Sequence, residues 1–338
     1  MTPDSAALIL LITGAGRSGT STLSGTMHHL GLSVPGPHLG ANRTNPKGFF
    51  ESRWSVFFHK RIHKRARVQD FDARLDALDR VREATTDESI AELDEWLAEQ
   101  DADQVVLKDP RTVWHQRLWA ERATAAGRSI RYVSMLRHPA EVVGSRVTYY
   151  LSRGDVDLDE RAYAISNIGR WVSASLVNER ETRGHDRAFV RYTDLLDDWR
   201  GVAALLRDDL GLTYNTDLDP ATPHPVDEFI EPELRRVRIT WDDLDVPAEL
   251  RSIAQATWEN QEVLADHHGV DANASAALDT IAERYARLVE ESQALSYDAI
   301  ESAAAQGRAD GAKAARAKMK KRAQERKQAN SGAPNPTG

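Results

Sequence analysis

The chain reads as an α/β protein of three layers, a central parallel sheet with helices on its faces, with helical insertions and a helical C-terminal region. Three observations predict this. Four short runs rich in aliphatic and β-branched residues, Ala7 to Thr13, Gln104 to Lys108, Ile130 to Leu136 and Arg187 to Tyr192, are each followed by a helical pattern, the alternation that a parallel sheet requires. The first run passes directly into a glycine-rich turn and then a helix. The 338 residues, 41% of them hydrophobic, suffice for one large core better than for several small modules.

The first strand is too short to span a bilayer and has no basic stretch before it, so no transmembrane segment and a cytoplasmic setting are expected. Pro35 to Gly48 is dense in Gly, Pro and Asn and reads as a loop at the ligand-binding edge of the sheet. Trp54 to Gln100 is charged and helix-favouring, with a break at Thr85 to Glu88 shaped like a capping box in which Thr85 pairs with Glu88. Asp217 to Pro247 is irregular, and Ala248 to Ser302 returns to helical periodicity. Ala303 to Gln328 has almost no large apolar residue, so it is expected as a solvated helical extension, with docking of an acidic partner as a second reading. Ala329 to Gly338 has the composition of a disordered tail. The division expected is a catalytic domain over 1–302, with its core at 6–212 and a helical part at 213–302, followed by a basic extension at 303–338.

Charge is unevenly placed. Gly307 to Gly338 holds nine basic against two acidic residues, leaving 35 basic against 50 acidic in the rest. An acidic body argues against nucleic-acid binding. The absence of cysteine excludes a disulfide scaffold, a thiolate nucleophile and a cysteine-ligated metal.

Gly14-Ala15-Gly16-Arg17-Ser18-Gly19-Thr20-Ser21 lies between strand and helix, the context in which backbone N–H groups and a helix N-terminus cradle an anion. The spacing of Gly14 and Gly19 matches a Walker A loop, but Thr20 stands where its lysine would be, and no aspartate closes the later strands in the way that would hold magnesium. The cation is Arg17 instead.

Arg17-Ser18-Gly19-Thr20-Ser21 resembles the 5′-phosphosulfate loop of sulfotransferases that use 3′-phosphoadenosine-5′-phosphosulfate (PAPS), and more particularly of bacterial members with GxxRSGTS loops. Three further segments resemble the same family in order: Asn45 to Glu51 (NPKGFFE), Lys108 to Arg111 (KDPR) and Arg137 to Arg146 (RHPAEVVGSR). The resemblance covers Leu8 to about Leu212, including Tyr192 to Leu196, with a fainter echo in Phe229 to Arg236. It implies a P-loop NTPase-like sulfotransferase fold. It also implies PAPS as donor, held by Gly16, Arg17, Ser18, Gly19, Thr20 and Ser21 at the phosphosulfate, and by Arg137 and Ser145, eight residues apart, at the 3′-phosphate. Arg235 or Arg236 would be a further reach to the nucleotide.

Glu51 is the implied general base, although a carboxylate there also suits a helix start. Lys108, at a strand end, would stabilise the transferring group, while Asp109 and Arg111 are expected to pair and brace the turn. No metal is expected. The acceptor would be a hydroxyl or amine of a glycan, glycolipid or small natural product, bound by the Pro35 to Gly48 loop, the helix after Ser52 and Thr148 to Arg170, where Trp54, Phe57, Tyr149 and Tyr150 offer aromatic faces or belong to the core. The sequence departs from the animal cytosolic members: Arg17 replaces their loop lysine, their C-terminal nucleotide motif is absent, and no catalytic histidine is evident, with His38 and His59 nearest Glu51. His59 and His63, four apart, are expected on an exposed basic helix face. The alternatives are a P-loop kinase using ATP, with Ser21 holding magnesium, and a non-catalytic nucleotide-binding partner protein.

Overall fold

The computed structural model describes residues 7–41, 47–150, 159–230 and 239–331, with backbone only for 147–150 and 325–331. Asn45, Pro46, Arg235, Arg236 and the side chains of Tyr149 and Tyr150 therefore lie outside the described residues. The chain divides into two compact units, 1–286 and 287–338.

The first unit is built on a four-stranded, wholly parallel sheet in the order β2-β1-β3-β4, formed by β1 (Leu8–Thr13), β2 (Gln104–Lys108), β3 (Ser129–Leu136) and β4 (Arg187–Arg191). Register aligns Ile12 with Lys108, Thr13 with Ser134, and Leu136 with Arg191. The C-terminal ends of all four strands thus share one edge, and the segments leaving them are the glycine loop, Lys108-Asp109, Arg137 and Tyr192. Ligands bind at this edge in open parallel sheets.

Successive residues of β1 face opposite sides and every one is buried, so two apolar layers form. Leu8, Leu10 and Ile12 join a core with α1 (Thr20–His29), α8 (Tyr192–Asp197) and α9 (Trp199–Leu210). Ile9 and Leu11 join another with α2 (Arg53–Ala66), α3 (Ala77–Glu83), α4 (Asp87–Ala98), α5 (Gln116–Ala125) and, through Ala174 and Val177, α7 (Glu160–Glu181). Helix α6 (Pro139–Tyr150) leaves β3 beside the glycine loop, with Pro139 at its first position where a missing N–H costs nothing. The helical insertion thus contains three helices. The start of α4 corrects the expected capping box by one residue: Thr86 Oγ1 accepts from Ser89 N at 3.3 Å, because Thr85 Oγ1 donates back to Val81 O of the previous helix.

Beyond β4 come α10 (Pro225–Phe229) and α11 (Ala248–Asp266), then α12 (Ala272–Leu295). Tyr285 of α12 donates its hydroxyl to Gly169 O and Ala73 O, at 3.0 and 2.8 Å. In the second unit α13 (Tyr297–Ser331) is one unbroken helix whose described side chains are almost all exposed. Ala329 to Ser331 are its last turn, and 332–338 lie outside the described residues. No described helix is long and apolar enough to cross a membrane.

Candidate active site

The loop after β1 needs its glycines at two points. Gly14 has φ +138°, and a Cβ there would lie 2.7 Å from Met135 O on the neighbouring strand. Gly19, at φ +90°, caps α1 with its Cα against the Tyr192 ring, which leaves no room for a side chain. Between them Ser18 N donates to Ala15 O at 3.0 Å, and Arg17 takes a left-handed conformation, φ 78°. The turn directs Arg17 outward, while Ser18 is buried and its hydroxyl has no hydrogen-bond partner among the described residues. A buried, unpaired hydroxyl on an anion-type loop is what a bound oxyanion would satisfy.

Arg17 and the residues of α6 come together. Arg17 Nε donates to Ser145 Oγ at 3.1 Å. Arg137 Nη1 donates to Arg17 O at 3.0 Å, its Nε pairs with Glu141 at 3.0 Å, and its guanidinium lies over the Tyr192 ring. The two anion-binding segments suggested by the sequence are therefore one continuous surface, with Arg137 and Ser145 both reaching the loop.

On the other side of the loop, Lys108 Nζ donates to Ser21 Oγ at 3.0 Å, to Phe49 O at 3.4 Å, and to Glu51 Oε1 in a buried ion pair. Ser24 Oγ holds the same segment through Phe50 O at 2.9 Å. Glu51 immediately precedes Ser52, the N-cap of α2, but its carboxylate turns to Lys108. Burial is the largest influence on Glu51 and pushes its pKa up, with Asp109 adding to this; Lys108 opposes the rise without cancelling it.

Asp109 is completely buried and saturated. Its Oδ2 accepts from His59 Nδ1 at 2.8 Å, and its Oδ1 accepts from Arg111 N at 3.0 Å and Arg111 Nη1 at 2.8 Å. Arg111 continues as a fork to Asp70, at 2.8 and 2.5 Å. Burial alone would raise Asp109, but the hydrogen bond from His59 and the charge of Arg111 outweigh it and hold the acid well below the usual carboxylate range. The expected Asp109–Arg111 brace is present, extended at both ends.

The histidines correct the sequence reading. His59 and His63 do not lie on an exposed face: both are buried, stacked with His115 at ring separations of 4.5 Å for His59 and 5.2 Å for His63. Trp119 Nε1 can only donate, and it donates to His59 Nε2 at 3.0 Å, so the His59 proton sits on Nδ1 toward Asp109. Burial lowers the His63 pKa to about 4 and His115 well below its ordinary value. Among the described residues no group of acidic and histidine side chains is arranged to hold a metal ion. Trp54 is half-buried and packs against the core, stacked on Phe58 and Trp96 at 4.8 and 4.7 Å, whereas Phe57 is exposed beneath Arg53. His38 is exposed and its ring bonds Val34 O, while its backbone bridges to Ser52 and the next residue, Leu39, donates its N–H to Glu51 O at 2.9 Å. Asp70, His115 and Trp119 were not identifiable from sequence, since no local spacing joins them to Asp109.

No protein-family model and no curated protein matches this chain. Among solved structures it is similar to the sulfotransferase domain from the Synechococcus PCC 7002 olefin synthase, with 18% identity over 80% of this chain and 98% of that one, at a TM-score of 0.40. It is also similar to the sulfotransferase domain from the curacin biosynthetic pathway, with 18% identity over 75% and 97%, at 0.39. These superpositions are loose. The α/β assignment rests on the strand pairing itself.

Proposed function

We propose that the chain is a sulfotransferase that moves the sulfuryl group of PAPS to a hydroxyl or amine of a glycan, glycolipid or small natural product. The observation that carries this reading is the contact of Arg17 with Ser145 and of Arg137 with the Arg17 carbonyl, which joins the loop and the start of α6 into one surface carrying two guanidinium groups, with Glu141 paired to Arg137. A nucleotide with phosphate groups at both its 5′ and 3′ positions suits such a surface, whereas an ordinary nucleoside triphosphate has a free 3′-hydroxyl.

The residues present fit such a donor. The unpaired Ser18 hydroxyl, the loop amides and Arg17 would hold the phosphosulfate, and Arg137 with Ser145 the 3′-phosphate. When bound, PAPS supplies an activated sulfuryl group on a nucleotide leaving group. Lys108, bonded to Ser21 at the first turn of α1, would counter negative charge growing beside the loop. Glu51 is the group that would accept the acceptor's proton at its carboxylate, and the burial that raises its pKa strengthens it as a base.

Calorimetric titration with 3′-phosphoadenosine 5′-phosphate, ADP, and ATP with magnesium tests the reading. Preferential binding of the bisphosphate, lost in Arg137→Ala, is the expected result. Preference for ATP with magnesium, or indifference to the 3′-phosphate, overturns it in favour of a kinase or a nucleotide sensor.

A further inference from the structure

Arg146, one residue beyond Ser145 on α6, also addresses the loop. A Cβ added at Gly16 would lie 3.0 Å from Arg146 Nη2 and 3.1 Å from the Phe71 ring, so the guanidinium and ring close over the backbone just before Arg17. Three separate pieces of the fold set that position. The side chain springs from α6, its guanidinium lies 5.2 Å from the centroid of the buried Phe71 ring, and its Nη1 donates to Asn167 Oδ1 of α7 at 2.8 Å. Asn167 is itself buried and fixed by donating to Tyr163 O at 2.8 Å. Phe71 sits on a segment fastened by the Asp70–Arg111 fork and by Trp114 Nε1 donating to Asp70 O at 3.0 Å.

A cation held against a loop of N–H donors at a helix N-terminus is repelled by the partial positive charge there. An anion seated on the loop beside the guanidinium is attracted by both and offsets this repulsion. We propose that Arg146 is a further anion-binding residue of the donor site, engaging the 5′-phosphosulfate end of the nucleotide together with the loop, while Arg137 serves the 3′ end. This inference rests on the sulfotransferase reading above.

The test compares titrations of the full chain with 3′-phosphoadenosine 5′-phosphate and with adenosine 5′-phosphate. Arg146→Gln, which keeps a group able to bond Asn167 but removes the charge, is expected to weaken both ligands by the same factor, about tenfold or more. Arg137→Ala, in contrast, removes only the advantage of the 3′-phosphate. Failure of the unaltered protein to bind either nucleotide overturns the sulfotransferase reading and this inference with it. Arg146→Gln binding both ligands with unaltered affinity, or losing only the 3′-phosphate advantage, overturns the inference alone. Should the Gln variant melt too low to titrate, Arg146→Lys carries the test: it is expected to lose affinity equally for both ligands but less than tenfold, and unaltered affinity or a loss confined to the 3′-phosphate overturns the inference.

Discussion

Glu51 and Asp109 are buried acids whose cationic partners, Lys108 and Arg111, leave the end of β2 three residues apart, yet burial raises the proton affinity of Glu51 while Asp109 is held far below the usual range. The difference lies in the number and kind of donors each carboxylate receives. Asp109 has a histidine on one oxygen and an arginine side chain and backbone N–H on the other, and its arginine is forked onto Asp70. Glu51 faces the single ammonium of Lys108, which divides its donors among Ser21, Phe49 and Glu51. A saturated carboxylate is a brace and resists protonation. A carboxylate with one cationic partner keeps a raised proton affinity, which suits the base role proposed for Glu51.

The largest expected effect comes from breaking the brace. Asp109→Ala leaves the Arg111 charge buried and His59 without its acceptor, and should destabilise the fold by about 3–5 kcal/mol, read from chemical denaturation. On the other side of the comparison, Glu51→Gln keeps an acceptor for Lys108 but removes its buried counter-charge, so it should lower the melting temperature less than Asp109→Ala does, leave nucleotide binding nearly unchanged, and lower the proposed sulfuryl transfer by about 10²–10⁴-fold. If Glu51 is the base of the proposed transfer, the pH–rate profile of the unaltered protein should rise at a higher pH than an ordinary carboxylic acid would give, since the raised pKa keeps Glu51 protonated longer as pH increases. Arg17→Ala should cost the proposed transfer about a hundredfold or more in rate, because on that reading it removes a preorganised cation beside the developing charge.

Acid stability sharpens the contrast from the histidine side. The folded-state pKa of His63 is lowered to about 4, below the ordinary value of 6.5 that the unfolded chain regains. The unfolded state therefore binds the proton first, so the stability contributed is complete above about pH 6.5 and is lost as pH falls toward 4, by about 3 kcal/mol at most. His63→Leu should flatten that part of the stability–pH curve, measured by thermal melts between pH 7 and 4. Smallest is Thr86→Ala, which removes the cap of α4 away from the site and should cost about 1 kcal/mol with no change in nucleotide affinity.

Much of the candidate site was legible because its residues are local to strand ends. The loop from Gly14 to Ser21, Lys108, Arg137 and Ser145 each lie within nine residues of the end of β1, β2 or β3, and a parallel sheet brings those ends to one edge whatever the connecting helices do. Glu51 was placed beside Lys108 by packing across 57 positions of sequence, and spacing had no access to that. The histidines were misread for a related reason. His59 and His63 sit in a helix rich in Lys and Arg, whose local pattern suggests solvent, but α5 and the end of β2 cover that stripe.

By itself the sequence determined the strand–helix alternation, the backbone conformations of Gly14 and Gly19, and the cationic character of the loop, all of which follow from side-chain period and steric freedom along the chain. Tertiary structure alone decided which acid is saturated and which is poised, which histidines are buried and neutral, and that Arg146 reaches Gly16. Those properties depend on desolvation and on donors supplied from distant segments, and neither exists until the chain has closed on itself.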